Sequence, residues 1–310
     1  MPAVFGAATW RQANRTRCMD VEAQNISPIP SEPDSAPPEA TIEAERRHWK
    51  IEVSYDGTDF LGWQKQPHGI TVQEVLEQKL SWLYANEPIR VEGAGRTDAG
   101  VHAVGMAASF AAPLRPLISG EKLFRALNRM LPTTVSIRSV TEAPPGFNAR
   151  FDAKGKAYTY VINRSETPAV FARRWSWHLP DCRDLDAIRR AAAAFVGEKN
   201  FSSFAVEINK SGKDPMRRID RIDVQEFGEL ACVTFVGKSF LYKMIRSLIG
   251  TLGPVGQGRL PAEAAATILA RQDRTKAPDT APALGLSLMK VFYNEDEWRG
   301  FKLEKPPFHY

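Results

Sequence analysis

The chain has 310 residues, of which 43% are hydrophobic and 25% are charged, a composition typical of a globular protein. Its net charge of +5 permits an anionic partner such as RNA without requiring one. No apolar run is long enough to cross a bilayer, which excludes a membrane-spanning helix. The cysteines, which form neither a CxxC pair nor a zinc-type cluster, predict a reducing compartment and no structural metal. They are Cys18, Cys182 and Cys232.

Residues 1–47 differ in composition from the rest of the chain. Five prolines fall between Pro28 and Pro38 among Ser, Glu and Asp, which predicts a disordered N-terminal extension. The first 19 residues contain arginines but no acidic residue, a pattern that also suits an organelle transit peptide. A start codon assigned too early is an equal alternative, and we expect a cytoplasmic protein.

Order is predicted to begin at Trp49. Apolar and polar residues alternate through WKIEVSYDG, which predicts a half-buried strand ending at Asp56-Gly57. The next segment, TVQEVLEQKLSWLYA, has helical spacing, and Thr71 followed by Glu74 forms a capping box. The apolar face of this helix consists of Val72, Val75, Leu76, Leu80 and Leu83.

A glycine-rich segment, VEGAGRTDAGVHA, follows that helix and leads into a predicted strand, AVGMAASF. A second helix is predicted over 121–130 and ends at Leu131-Pro132. Two strands follow, near 135–140 and 156–163.

The order of elements then repeats in outline. A helix is predicted after Asp184, with Gly197 just past its end. RIDVQEF and ACVTFVG predict paired strands, and FLYKMIRSLIGTLG predicts a largely buried helix. A further helix places Pro261 at its first position, and LGLSLMKVFY predicts a closing strand.

The pattern of strands indicates the fold class. Strands occur as neighbours rather than in strict alternation with helices, which favours an α+β fold over a doubly wound one. We therefore predict two α/β halves with antiparallel sheets, over 48–170 and 171–294, followed by a tail at 295–310. The boundary between the halves is expected near 164–184.

The glycine-rich segment allows several interpretations. A dinucleotide-binding loop is disfavoured, because Asp98 stands where that loop needs Gly or Ala, and no GKS or GKT is present for a P-loop. No nucleotide cofactor is therefore expected. An Asp in such a loop most often accepts backbone N–H bonds in an Asx-turn. However, Ala99 and Gly100 add little bulk, which leaves the carboxylate open to a flat ligand.

Five segments carry a resemblance to a known family. They are YDGTDFLGWQ (55–64), AGRTDAGVHA (94–103), FNARFDAKGKAYTY (147–160), GEKNFSSF (197–204) and FLYKMIRSLIGTL (240–252). Together they resemble the tRNA pseudouridine synthase A family over Trp49 to Tyr293. The resemblance implies one pseudouridine synthase catalytic domain with ferredoxin-like halves and an active-site cleft between them.

Members of that family convert uridines in the anticodon stem and loop of tRNA, at nucleotide positions 38 to 40, to pseudouridine without metal or organic cofactor. The resemblance implies an isomerase whose partner is tRNA, and a homodimer with the tRNA lying across both subunits. A non-catalytic protein that binds or folds tRNA is the alternative, since it needs a basic surface but no carboxylate. A glycoside hydrolase, with Asp56 or Asp59 as a second carboxylate, is a further alternative.

By the resemblance, Asp98 is the catalytic carboxylate, Tyr158 lies against the target base, and Arg246 is a cation that keeps Asp98 ionised. Asp98 attacks the sugar carbon, attacks the pyrimidine or removes a ribose proton, and the sequence does not distinguish these routes. The resemblance also implies that Arg96 helps to hold the uridine in its flipped-out conformation. Tyr158 and Tyr160 share one strand face by alternation, a pattern more often found in a core.

Basic residues cluster where an RNA backbone would run, and together predict a surface whose RNA binding weakens with salt. Those assigned to RNA binding, besides Arg96 and Tyr158, are Lys154, Lys156, Arg217 and Arg218, and Lys210, Lys213 and Arg221 extend the set. Lys243 is expected to be exposed and within reach of RNA, and His102 to be packed or hydrogen-bonded. The loop at 208–214 fits the family poorly, so no RNA contact is assigned there.

Overall fold

Ten strands join into one sheet within the described part of the chain, residues 46–206 and 214–309 of the computed structural model. The strands are β1 (Arg46–Tyr55), β2 (Glu92–Gly93), β3 (His102–Pro113), β4 (Val135–Ala143), β5 (Gly155–Asn163), β6 (Trp177–His178), β7 (Gly197–Asn200), β8 (Met216–Phe227), β9 (Leu230–Gly237) and β10 (Leu286–Phe292). The α-helices of the same residues are α1 (Val72–Leu83), α2 (Gly120–Met130), α3 (Leu185–Ala193), α4 (Met244–Gly256), α5 (Ala264–Arg271) and α6 (Glu295–Gly300).

The order across the sheet is β4-β1-β3-β10-β5-β9-β8-β7, with β2 beside β3 and β6 beside β5. Neighbours along that order are antiparallel except β3 and β10, which run parallel where Ser287 pairs with His102 and Leu288 with Ala103. The predicted α+β class is confirmed, and the two predicted antiparallel sheets are joined edge to edge through this parallel pair.

Strand β10 lies in the middle of the sheet although it is the last strand along the chain. Its residues from Leu286 to Met289 are all buried, as expected for a strand covered on both faces. Strand β5 precedes the predicted boundary at residue 170, yet it pairs with β9 and β10. The second set of strands therefore contains chain from both sides of that boundary.

The two faces of the sheet carry different cores. Alternation along β5 places Tyr158 and Tyr160 in the main core, with buried side chains of helices α1 to α5. Ala157 and Val161 belong to a smaller cluster on the opposite face. The C-terminal segment covers that second cluster with Trp298, Phe301 and Leu303.

Several helix ends follow the sequence signals. Thr71 caps α1 by accepting a hydrogen bond from the Glu74 backbone N–H at 3.3 Å. Asp184 caps α3 in the same way through the Ala187 N–H at 2.7 Å. Helix α2 ends at Met130, immediately before the predicted stop at Leu131-Pro132.

Other boundaries differ from the prediction. Helix α4 begins at Met244 rather than at Phe240, because Lys243 has a left-handed backbone conformation, with φ +56°, that no α-helical turn contains. Helix α5 begins at Ala264 rather than at Pro261. The chain from Pro261 instead makes two tight turns, in which the N–H groups of Ala264 and Ala265 bond three residues back.

The N-terminal extension was predicted two residues too long. Arg46 and Arg47 pair with Pro113 and Ala112 in the ladder between β1 and β3. The rest of the extension with Cys18, and Lys210 and Lys213 with most of the 208–214 loop, lie outside the described residues. Cys182 and Cys232 are free and buried. Among the helices described, none has the length and apolar content needed to span a membrane.

Candidate active site

A pocket opens between the loop at 95–101 and the start of helix α4, so it is bordered by segments from both predicted halves. Strands β5 and β10 supply further walls. The pocket is lined by Arg96, Thr97, Asp98, Val101, Tyr158, Phe240, Leu241, Lys243, Met244, Ile245, Arg246 and Leu286. The structure thus brings together Asp98, Arg96, Tyr158 and Arg246, which the resemblance assigns to the active site.

A tight turn presents Asp98 to the pocket. The Val101 N–H donates to the Asp98 carbonyl at 3.1 Å, and Gly100 adopts φ +77°, as the third residue of a type II turn does. The Asp98 carboxylate itself accepts no backbone N–H among the described residues. The Asx-turn interpretation is therefore wrong for the side chain, which is free to face the pocket.

The main chain around residues 60–63 is hydrogen-bonded to this loop. The Trp63 N–H donates to the Thr97 carbonyl at 3.2 Å, and the Gly100 N–H donates to the Phe60 carbonyl at 3.3 Å. The buried hydroxyls of Tyr55 and Thr97 lie 2.8 Å apart. The YDGTDFLGWQ segment therefore supports the Asp98 loop from the side away from the pocket opening.

Gly62 allows that support to approach closely. Its φ is +87°, and a Cβ at this position would lie 2.4 Å from the Thr97 carbonyl oxygen. Real Cβ atoms do not approach an oxygen so closely, so the loop would have to move for any other residue to fit.

We expect Gly62→Ala to destabilise the fold by about 2–5 kcal/mol, from backbone strain together with overpacking, and to reduce activity by displacing Asp98. Gly228→Ala is the matched control, since Gly228 has φ +61° but no atom within 4 Å of the place that an alanine methyl would occupy. It should cost only about 1–2 kcal/mol and keep parental activity. Thermal denaturation and turnover measure both, and equal effects of the two variants would contradict the expectation.

Asp98 and Arg246 form an ion pair across the pocket. The Arg246 Nη1 donates to Asp98 Oδ2 at 2.8 Å, and the two side chains are only 14% (Arg246) and 18% (Asp98) exposed. The Arg246 Nε donates to the Ala281 carbonyl at 2.9 Å, which fixes the guanidinium plane. The charge in this apolar helix is therefore compensated by Asp98 through a charge-assisted hydrogen bond.

Tyr158 forms a wall of the same pocket. Its ring lies edge-on to Phe240, with centroids 5.4 Å apart and an interplanar angle of 82°. Burial, with a further contribution from the Asp98 charge, raises the pKa of Tyr158 well above its usual value. The phenol is therefore neutral at physiological pH and able to donate a hydrogen bond.

Lys156 projects from the same face of β5 as Tyr158. A Cβ on Gly95 would lie 3.5 Å from Lys156 Nζ and 3.8 Å from the Tyr158 hydroxyl, so both groups border the Asp98 loop. Burial, together with the charge of Arg150, lowers the pKa of Lys156 to about 8. Within the described chain no carboxylate forms an ion pair with it. Lys154, two residues earlier, is exposed.

The other predicted RNA-binding residues lie in different surroundings. Arg217 donates to the main-chain carbonyls of Asp214 and Met216. Arg218 is paired with Asp220 at 2.7 Å and borders a separate cavity with residues of α6. The structure does not bring Arg218 to the Asp98 pocket. Arg221 donates to main-chain carbonyls of the C-terminal segment, which gives it a structural role.

Lys243 differs from its expectation, whereas His102 agrees with it. Lys243, expected to be exposed, is half-buried and lines the pocket. His102 is buried, and its Nε2 donates to the Leu284 carbonyl at 3.1 Å, as expected for a hydrogen-bonding residue. The Asp56 carboxylate lies 3.1 Å from His102 Nδ1. Burial opposes ionisation of Asp56, but hydrogen bonds with His102 and Thr58 outweigh it and lower its pKa.

Gln64 and Phe240 also belong to the site, although the sequence did not single them out. Gln64 Oε1 accepts a hydrogen bond from Arg96 Nε at 3.1 Å. Both residues fall inside the quoted motifs. The sequence does not show, however, that Gln64 contacts Arg96 or that Phe240 packs against Tyr158. Across residues 46–206 and 214–309, no group of three or more His, Cys, Asp or Glu side chains is arranged to hold a metal ion.

Comparison with known proteins gives the class. A family model described as tRNA pseudouridine synthase matches residues 51–152 and 191–294. The first match contains β2 to β4 with the second half of β1, and the second contains β7 to β10. The chain therefore belongs to the tRNA pseudouridine synthase family, and the resemblance of the five motifs is confirmed.

Several relatives are close in sequence. A tRNA pseudouridine synthase A of Geotalea uraniireducens (strain Rf4) is 41% identical over 251 residues, covering 80% of this chain and 100% of the relative. A protein of the same name from Geobacter sulfurreducens is 42% identical, covering 78% of this chain and 98% of the relative. Another, from Methylacidiphilum infernorum, is 40% identical with coverage of 80% and 96%.

Proposed function

We propose that this chain isomerises uridine to pseudouridine in the anticodon stem and loop of tRNA, acting as a cytoplasmic homodimer. The observation that carries the proposal is the Asp98 carboxylate, paired with Arg246 and facing the same pocket as Tyr158. The isomerisation breaks the bond between N1 of the base and C1′ of the ribose and forms a bond from C5 to C1′. C5 loses a proton and N1 gains one, so atoms and electrons balance within the substrate.

Asp98 is the group we assign to the bond-breaking step. Oδ2 is occupied by Arg246, whereas Oδ1 accepts no hydrogen bond from any described residue. A partly exposed carboxylate with one free oxygen serves as a nucleophile toward the sugar or the pyrimidine, or as a base toward the ribose. All three routes need this oxygen near the glycosidic bond, so the assignment of Asp98 holds for each.

The remaining pocket residues suit a flipped-out base. A uridine stacked in a stem must leave the stack to reach the pocket, at a cost of a few kcal/mol. Tyr158 offers a flat apolar surface for the pyrimidine, and its neutral hydroxyl is available for proton transfer or hydrogen bonding. Arg96, which is exposed at the pocket edge, is placed to contact the RNA that the base has left.

The proposal is tested by incubating the purified protein with tRNA that carries tritium at C5 of its uridines. Isomerisation releases that tritium into water, and mapping of the product tRNA should place pseudouridine in the anticodon arm. The non-catalytic alternative predicts tRNA binding without tritium release. Sedimentation of the protein at micromolar concentration tests the proposed homodimer separately.

Lys156 gives the proposal a pH dependence. An ammonium attracts the RNA backbone only while protonated, so its contribution to tRNA affinity should be nearly full at pH 7 and be lost as the pH rises through about 8. We expect Lys156→Met to weaken binding at pH 7, to lower the salt slope by about one, and to match the parent by about pH 9.5. Lys154→Met removes an exposed ammonium two residues earlier and is the matched control at pH 7 for the loss of a surface charge. A Lys156→Met defect that persisted unchanged across this range would contradict the assignment.

A further inference from the structure

Arg96 is exposed at the rim of the pocket, yet its guanidinium is held in one place. The Arg96 Nε donates to Gln64 Oε1 at 3.1 Å, while its two terminal nitrogens make no hydrogen bond with any residue that the structure describes. We propose that Gln64 is a positioning residue that presents Arg96 to the RNA in the direction needed when the target uridine leaves its stack. This inference rests on the proposed function.

The orientation of the Gln64 amide is set from inside the fold, by Gln73 on helix α1. The Gln73 Nε2 donates to the Val91 carbonyl at 3.0 Å and to Glu77 Oε1 at 2.9 Å, both of which only accept. Its Oε1 accepts from the Lys65 backbone N–H at 2.9 Å, which only donates. Because each partner has a fixed polarity, the buried Gln73 amide has only one allowed orientation.

That orientation determines how Gln64 lies. The oxygen of Gln73 faces Gln64 at 2.9 Å, so Gln64 must turn its Nε2 toward it and donate. The Gln64 oxygen then faces Arg96, where it is the correct acceptor for a guanidinium. A reversed Gln64 amide would place two oxygens together on one side and two nitrogen donors on the other. The fixed orientation of the Gln73 amide therefore sets the orientation of the Gln64 amide, which in turn presents an acceptor to Arg96.

The consequence is pre-organisation of a long, charged side chain. A free surface arginine loses rotamer freedom when it binds RNA, and a side chain already held by a fixed acceptor loses less. We expect Gln64→Leu to lower kcat/KM for tRNA by about three- to tenfold. Gln64 is itself exposed, and Gln73 Oε1 keeps its bond from the Lys65 N–H in the variant. The fold is therefore expected to tolerate the change.

A double-mutant cycle with Arg96→Ala tests the proposal. If Gln64 acts through Arg96, Gln64→Leu lowers kcat/KM in the parent but changes nothing in the Arg96→Ala background. An equal loss in both backgrounds, or no loss in the parent, overturns the proposal. Gln64→Asn stays polar but is one methylene too short to reach both partners, so it is expected to behave like Gln64→Leu. Agreement between the two variants would show that the loss does not come from a folding defect caused by the apolar leucine.

Gln66→Leu is the matched control. Gln66 lies in the same loop and donates to the Leu61 carbonyl at 2.8 Å, without touching Arg96. Gln66→Leu should leave kcat/KM unchanged both in the parent and in the Arg96→Ala variant. If the proposed function itself were wrong, the parent protein would release no tritium from labelled tRNA. That outcome is distinct from a failed cycle, which requires an active parent.

Discussion

Asp98→Asn is expected to abolish pseudouridine formation, with a loss in kcat of at least about 10³-fold, while tRNA binding persists. Asparagine has nearly the same shape, and its amide oxygen still accepts from Arg246 Nη1, so the loop should keep its turn. What is removed is the negative charge that attacks a carbon or takes a proton in every route considered. Single-turnover tritium release measures the chemical step, and filter binding measures the complex.

Asp59→Asn is the control for this experiment. Asp59 is an exposed residue of the YDGTDFLGWQ segment, so its variant makes the same chemical change away from the pocket. Parental turnover by Asp59→Asn together with an inactive Asp98→Asn assigns the carboxylate. Parental turnover by Asp98→Asn would refute the catalytic assignment, whatever its effect on binding.

Arg246→Met is expected to reduce kcat by about 10²-fold or more, and to lower stability by about 1–3 kcal/mol. The variant leaves the Asp98 carboxylate without its partner in a pocket where water reaches it only in part. It also removes the hydrogen bond from the Arg246 Nε to the Ala281 carbonyl. The main-chain bond from the Ala281 N–H to the carbonyl of residue 246, at 3.0 Å, is kept. Arg246→Lys restores the charge but not both directed bonds, so it should recover only part of the activity.

Arg164→Met separates the catalytic loss from a general loss of an ion pair. Arg164 has the same 14% side-chain exposure as Arg246, pairs with Glu226 at 3.0 Å and donates to a carbonyl, that of Gly228. It lies away from the Asp98 pocket, so Arg164→Met should lower thermal stability and leave turnover intact. If both variants lost activity in proportion to their stability, Arg246 would have only a structural role.

Local signals predicted local structure well. The caps Thr71 and Asp184 mark the starts of α1 and α3, because a capping side chain and its N–H partners are three residues apart. Alternation predicted that Tyr158 and Tyr160 share a face of β5. The start of α4 was predicted too early, because nothing in the sequence indicates that Lys243 adopts a left-handed backbone conformation. The helix was wrongly predicted to start at Pro261, because proline is favoured both in the first turn of a helix and at the start of a tight turn.

These local signals could not predict which residues distant in sequence contact each other. Asp98 and Arg246 are 148 residues apart, and nothing in their own surroundings indicates that they touch. The resemblance to a family brought them together, and the structure gives the distance. Likewise, an apolar closing strand such as β10 predicts burial but not its neighbours. The role of Gln64 was hidden for a related reason, since its orientation depends on polar partners in a helix and a loop.

The central place of β10 bears on how the protein is made. A ribosome delivers residues 286–292 after every other strand of the sheet, so β3 and β5 emerge with their inner edges unpaired. Unpaired edges invite association with other chains, and they remain open until synthesis of the domain is nearly complete. Leu286 of the same strand also lines the Asp98 pocket. A nascent chain thus has no finished pocket for RNA until the strand that closes the sheet has left the ribosome.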